Sequence, residues 1–184
     1  ALMHREHHAY SDTEKDPHSP HFFADIFQMM KATVHTYRDY EKRNKNQETL
    51  FPGHYPEWPV IDWMGSSILS RLLFGAAYTT FYIFFAAHWW MFLLLPIHFM
   101  MGPIHGAIVN WCGHKYGYRN FDNKDKSKNT TPFDFLMLSE LFQNNHHKHP
   151  NSPNFGKRWF EIDPVYPVMK LMHWMRIIKL RKAY

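Results

Sequence analysis

The run LLFGAAYTTFYIFFAAHWWMFLLLPIHFMMGPIHGAIVNWCGH, from Leu72 to His114, contains no Asp, Glu, Lys or Arg. It is more than twice as long as the roughly 20 residues a helix needs to cross about 30 Å of hydrocarbon. The length therefore predicts a transmembrane hairpin: one helix over Ser67–Ala87, a tight turn at His88-Trp89-Trp90, and a second helix over Met91–Trp111. Arg71 snorkels from the first end. Basic residues crowd both outer flanks (Arg38, Lys42, Arg43 and Lys45 before; Lys115, Arg119, Lys124 and Lys126 after), and none lies at the turn. By the positive-inside rule both flanks are cytoplasmic and the turn is outside. His98 and His105 fall inside the second span, where a neutral histidine hydrogen-bonded between helices is the expected state. Gly102, Pro103 and Gly106 permit a kink or a close helix approach. A hairpin buried in a soluble protein is the competing reading, because Pro96 and these histidines dilute the apolar signal.

Outward from this run, the chain is watery. Its 184 residues suit one domain, hydrophobic content is 45%, and the mean hydropathy is negative. The formal charge of +5 is concentrated in no nucleic-acid motif, so no nucleic-acid partner is expected. An anionic membrane surface or an anionic substrate fits that charge better. Cys112 is the one cysteine, which excludes an intramolecular disulfide and suits a reducing compartment.

Fifteen histidines are many for this length, and their spacing is more telling than their number. His4, His7 and His8 form His-x-x-His-His. Asn110 and His114 stand four apart where the apolar run ends. Gln143, His146 and His147 form Gln-x-x-His-His. On a helix, positions i, i+3 and i+4 share one face, so each group stacks its polar side chains one turn apart. A fortuitous surface patch explains one such group poorly and the repeated spacing worse. An all-imidazole set suits zinc, copper, iron or nickel. Zinc takes four ligands, or three plus water, so six imidazoles are too many for one ion.

In order and spacing these groups resemble the histidine boxes of the membrane-bound fatty acid desaturases. The nearest likeness is to the acyl-CoA (stearoyl-CoA, delta-9-like) branch in its bacterial form. The flanks agree: Asp12-Thr13 and Asp16-Pro17-His18 follow the first box, and Gly117-Tyr118-Arg119 follows His114. Two departures stand out. The family's earliest box, His-x-x-x-x-His, has no counterpart, since the chain opens at Ala1 almost inside the next one. Position 143 is Gln where many relatives have His. The chain thus looks N-terminally truncated, a single partial domain over 1–184 that by itself is expected to be inactive.

The resemblance implies an all-α membrane protein. Its transmembrane helical hairpin (67–111) carries a cytoplasmic helical cap (1–66 and 112–184) that bears the boxes, with a bacterial inner membrane as the location. It implies two iron ions ligated by His4, His7, His8, His114, His146 and His147, with O2 as co-substrate. Asn110 would act through a bound water, and Gln143 either ligates weakly or hydrogen-bonds a ligand water. No catalytic group beyond the metal site is expected, and His149 is at most an outer-sphere contact. The implied reaction places a cis double bond in a fatty acyl chain carried on CoA or on a lipid. Electrons would come from a ferredoxin or cytochrome b5 type donor. A membrane hydroxylase or ketolase, or a non-catalytic metal-binding remnant, are the alternatives.

The remaining segments frame the boxes. Asp12–His21 reads as a turn-rich loop in which His18 and His21 are structural, and Asp12 or Asp16 can orient a ligand imidazole. Phe23, Ile26, Phe27, Met30, Val34 and Tyr37 follow a helical period. The polar run Lys42–Thr49 and a Pro-rich connector over Phe51–Pro59 follow. Thr131-Pro132 reads as a helix start, with Phe133, Leu136, Met137 and Leu141 as the apolar face leading into Gln143. Val168, Leu171, Met172, Met175 and Ile178 alternate with Lys170, Arg176, Lys179, Arg181 and Lys182, a basic amphipathic helix suited to a membrane surface.

Overall fold

The computed structural model describes residues 2–42 and 58–180, so the polar run at 43–49 and the connector at 51–57 lie outside the described residues. Among the described residues every regular element is helical, and only isolated bridges, such as Tyr118 with Asn129 and Phe133 with Ile162, stand in for strands. The chain divides into two compact units, Gly53–His105 and the combination of Ala1–Pro52 with Gly106–Tyr184.

The unit Gly53–His105 carries the apolar run. It contains α3 (Pro59–Ser66), α4 (Ile68–Phe85), a 3₁₀ helix (Trp89–Leu94), α5 (Leu95–Phe99) and the start of α6 (Met101–Lys115). Ser67 caps α4, its side chain accepting from the Ser70 N–H. At 18 residues, with a mean hydropathy of 1.4 and only 11% of its residues buried, α4 is long and apolar enough to cross a membrane. Leu72, Leu73, Phe81, Ile83 and Phe84 all point outward from it. The second expected span, Met91–Trp111, is not one straight helix. It begins as 3₁₀ turns and bends by 65° between Phe99 and Met101, so it counts as a further candidate span only if the bent pair acts as one. Pro103 accounts for the bend: it has no N–H to give the carbonyl four residues back, and its ring crowds the carbonyl of Phe99. A Cβ at Gly102 or Gly106 would meet nothing within 4 Å, so close helix approach is not what these glycines provide. His98 shares a hydrogen bond with the Tyr82 hydroxyl on α4 at 3.3 Å, the cross-helix pairing expected of a histidine in such a segment.

The other unit holds α1 (Leu2–Tyr10), α2 (Ile26–Lys42), the rest of α6, α7 (Gln143–Lys148) and α8 (Val165–Trp174). Its interior is unusually polar. Among the described residues its buried apolar side chains include Pro20, Met29, Ala107, Leu141 and Phe142, against a much longer set of buried His, Asp, Asn, Ser, Gln and Glu. The α2 helix forms as its period predicts. Phe27, at 81% exposure, Val34 and Tyr37 face outward, while Met29 is fully buried and polar groups share its inward side. Thr33 bonds His18 Nδ1 at 3.1 Å and the Pro17 carbonyl, and the Tyr40 hydroxyl donates to Glu6.

The segment 133–141 is a chain of turns rather than a helix. The Asp134 carboxylate accepts from the N–H groups of Met137 and Leu141, and Leu138 and Ser139 adopt φ of 55° and 75°, which no right-handed helix allows. Thr131 donates its hydroxyl to the Phe133 carbonyl and caps nothing. The α8 helix does form, and leaves Val168, Leu171 and Trp174 exposed.

After α6 the chain turns at Gly117, where φ is +121° and a Cβ would lie 2.0 Å from the Asn129 carbonyl oxygen. This close approach lets Tyr118 and Asn129 exchange backbone hydrogen bonds. Gly117→Ala is therefore expected to destabilise this unit by roughly 2 kcal/mol or more, through strain and the forced retreat of residue 129. Thermal unfolding in detergent, followed by circular dichroism, measures the effect; an unchanged midpoint would refute it.

Candidate metal centre

Three elements bring the histidines together. The α1 helix supplies His4, His7 and His8, the end of α6 supplies His114, and α7 supplies His146 and His147. The six imidazoles fall into two trios, His4–His8–His146 and His7–His114–His147, and within each trio one ring nitrogen per residue lies within 4.8 Å of the others. The trios adjoin: the rings of His8 and His147 are 4.4 Å apart and tilted by 35°.

The His7–His114–His147 trio is built like a socket. His7 Nδ1 hydrogen-bonds both Asp16 oxygens at 3.0 Å, His114 Nδ1 bonds Asp12 at 2.9 Å, and His147 Nδ1 bonds Asp125 at 2.8 Å. A carboxylate facing Nδ1 puts the proton there, so the Nε2 lone pair of each ring is left free to accept. All three Nε2 atoms are buried and have no protein partner.

The carboxylates are themselves fixed. Asp12 accepts from the Lys126 N–H and the Ser19 hydroxyl, Asp16 from the N–H groups of Asp12 and His18, and Asp125 from the Ser127 N–H and hydroxyl. Burial works to raise these carboxyls, but their imidazole and N–H partners outweigh it. Asp12 is lowered to about 2, and Asp16 and Asp125 also lie below the usual range. The left-handed backbone at Asp12, φ 58°, ends α1 and turns the loop so that Asp12 and Asp16 both face the rings.

The second trio is looser. His8 Nε2 lies 3.2 Å from His4 Nε2 and 3.0 Å from His146 Nε2, and His146 Nδ1 is buried without a partner. Among the described residues no carboxylate is hydrogen-bonded to any of its three rings. Burial, reinforced by the neighbouring imidazoles, lowers His4 to about 4, His146 to about 3 and His8 to about 2. All three are neutral near pH 7, the form in which imidazole can ligate a metal.

Four imidazole nitrogens are thus buried and orphaned within one cluster. Each such atom costs about 1–3 kcal/mol when left unsatisfied. A cation held by the first trio would satisfy the Nε2 atoms of His7, His114 and His147, so that donor set fits metal. The remaining candidates lie around it. Asn110 donates its amide to the Gly106 carbonyl at 2.8 Å, one turn before His114. Gln143 donates to the Glu140 carbonyl and packs its side chain on Gly113, where a Cβ would come within 2.4 Å of Gln143 Cγ. His149 stacks edge-on against Phe121, outside both trios. His18 pairs with Thr33, and His21 Nε2 donates to the His114 carbonyl; neither ring belongs to a trio.

The sequence reading had no place for the residues that hold α7. This helix has six residues and none is apolar, so packing alone cannot seat it. Asn144 bonds the N–H groups of Asn120 and Phe121 and the carbonyls of Phe121 and Ser127. Asn145 donates to the Phe155 carbonyl and to Glu161 at 2.9 Å. Glu161 also accepts from Tyr118, Asn120, Asn129 and the N–H groups of Lys157 and Arg158. The available signal was the pair of amides inside the box, which a wholly polar buried helix requires on the face away from the imidazoles.

Fold and site together define a helical protein with one or two candidate membrane spans and two adjoining imidazole trios. The chain belongs to the fatty acid desaturase family, whose model matches residues 1–173. It is 25% identical to the sn-1 stearoyl-lipid 9-desaturase of Anabaena variabilis, over 92% of this chain and 59% of that protein. It is 26% identical to the hex-5-enoyl-[acyl-carrier protein] acetylenase of Moorena producens, over 89% of this chain and 54% of the relative. An acyl-CoA 5-desaturase of Anemone leveillei is 26% identical over 94% of this chain and 51% of its own length. The chain therefore spans little more than half the length of these relatives. No solved structure gives a significant match.

Glu161→Ala would strand its six donors, and the loss is expected to reach about 3 kcal/mol or more. Glu161→Gln, which keeps an acceptor, should lose less. The folded-state Glu161 pKa is lowered despite burial, through Tyr118, the Lys157 and Arg158 N–H groups and Asn120. Its contribution is therefore present above the unfolded carboxyl's pKa and is lost as pH falls through the lower folded value. Denaturant unfolding of both variants at neutral and acid pH checks this. A deficit in Glu161→Ala that fails to shrink as the pH falls would contradict it.

Proposed function

We propose that the protein carrying this chain is a membrane fatty acid desaturase, an oxidoreductase that places a cis double bond in an acyl chain held on CoA or a lipid. The observation that carries the reading is the pair of imidazole trios with buried, unpartnered nitrogens, in a chain of this family. His4, His7, His8, His114, His146 and His147 are the proposed ligands of two irons, with Asn110 and Gln143 as outer contributors through water. When bound, the irons supply the activation of O2 that removal of hydrogen from an unactivated methylene requires, which no side chain can perform.

The chain's own groups do the rest. Asp12, Asp16 and Asp125 hold the Nδ1 protons of His114, His7 and His147 and fix each ring. Burial of His7, His114 and His146 shields their side of the cluster from bulk water. The balance is simple: two hydrogens leave the acyl chain, a ferredoxin or cytochrome b5 type donor supplies two electrons, two protons are taken up, and O2 leaves as two waters.

In this reading the site sits on the cytoplasmic side of a bacterial inner membrane. In this arrangement 67–111 is the membrane hairpin, while 1–66 and 112–184 form the cap. The apolar outward face of α4 and the basic flanks support it. The exposed apolar residues of α8 beside Lys170 and Arg176 support contact with the membrane surface.

Two tests follow from this reading. Expression of the protein in a host with a saturated fatty-acid background should yield new cis-unsaturated acyl chains and about two bound irons per chain. His7→Ala and His146→Ala should each abolish the product while the protein stays in the membrane; full turnover in either would remove that residue from the ligand set. A hydroxylated product would favour the hydroxylase alternative. For topology, cysteine-accessibility labelling is expected to find residues 88–90 outside and residues 54 and 125 inside. Labelling of 54 and 125 from opposite sides would sink the hairpin.

A further inference from the structure

We infer that the two metal sites are unequal: the His7–His114–His147 trio binds its ion more tightly and fills first, because Asp12, Asp16 and Asp125 preorganise it. This deepens the two-metal reading above and rests on it.

The asymmetry is in the geometry. All three rings of one trio are backed by a carboxylate at 2.8–3.0 Å from Nδ1, and each leaves Nε2 buried and without a partner. Among the described residues no ring of the other trio is hydrogen-bonded to a carboxylate, and its nitrogens lean on one another, His8 Nε2 lying between His4 and His146. In the first trio His7 and His114 are buried and His147 is half-buried; in the other His146 is buried, His8 half-buried and His4 exposed.

Three consequences point the same way. A carboxylate at Nδ1 fixes tautomer and ring orientation and makes Nε2 a stronger donor, and losing such a partner typically lowers metal affinity about 10–100-fold. Three carboxylates beside a divalent ion also offset its charge in a poorly solvated place. The looser trio must first separate His8 from His4 and His146 before all three nitrogens can turn to an ion. Its rings have no fixed tautomer either, so more ordering accompanies binding. Asp12, Asp16 and Asp125 are thus positioning residues that act through the imidazoles.

The test uses Co2+ as a spectroscopic probe. The chain, in detergent and stripped with a chelator, receives Co2+ in steps, followed by visible absorption and calorimetry. Two resolved steps are expected, separated by about tenfold or more in affinity. Asp125→Asn should move the tight step toward the weak one by about 10–100-fold, and Asp125→Glu should recover part of the loss. His8→Ala should abolish the weak step while leaving the affinity and absorption band of the tight one unchanged. That variant keeps the inference falsifiable if Asp125→Asn fails to fold, which circular dichroism reports. A single affinity for both ions overturns the inference and leaves the two-metal reading standing. So does a tight step that His8→Ala removes. Failure to bind Co2+ at all overturns both.

Discussion

The structure depends on one constraint: in the unit that carries the boxes, the buried space is filled by imidazoles, amides and carboxylates rather than by hydrocarbon. Such an interior is stable only when every polar atom is satisfied, because an unpaired buried donor or acceptor costs more than a typical hydrogen bond returns. The protein meets this with long chains of side-chain contacts. One runs from Lys126 through Asp12 to His114, and another from Arg158 through Glu161 to Asn145. The first chain ends on His114, whose Nε2 nothing in the protein satisfies. Among the described residues four of the six such buried side-chain atoms are imidazole nitrogens where the boxes converge, and that concentration makes metal the natural complement.

The apolar unit solves the opposite problem. Its helices satisfy their own backbones and turn hydrocarbon outward, as lipid demands and water does not. Where that regularity fails, at the 65° bend after Phe99, the cause is a proline placed four residues further on. A polar contact within it, between Tyr82 and His98, joins two helical segments and leaves neither group to face hydrocarbon alone. The box-bearing unit thus keeps its polar groups inside, and the apolar unit keeps its hydrocarbon outside.

Much of this was legible in the sequence. The boxes could be read because a helix fixes the relation of i, i+3 and i+4 without tertiary information, and α1 forms over His4, His7 and His8. The span of α4 could be read because no Asp, Glu, Lys or Arg interrupts the run that follows Arg71. The errors arose where local pattern yielded to long-range hydrogen bonds. Phe133, Leu136 and Leu141 carry a helical period, yet the Asp134 carboxylate captures the N–H groups that a helix would use. The period of α2 was legible, but not the role of Thr33 and Tyr40, whose partners His18 and Glu6 are distant in sequence. Asp125 was not distinguishable from other loop acids, because only the folded loop brings it to His147, 22 residues away.

The shape of α7 explains why fold and site cannot be separated in this protein. Gln143–Lys148 is less than two turns long, below the length at which a helix holds itself in water. It has no apolar face to drive it inward either. Asn144, Asn145 and Phe142 must therefore be held by the loops 118–129 and 155–161, which are irregular and draw their own order from the same amides and from Glu161. Those loops carry Asp125, which in turn fixes His147 on the helix they seat. The dependence is circular: the helix orders the loops, the loops order the helix, and His146 and His147 keep their direction only while both persist. A change anywhere in this ring, even far from the imidazoles, should be felt first as a loss of their orientation and only later as a loss of the fold.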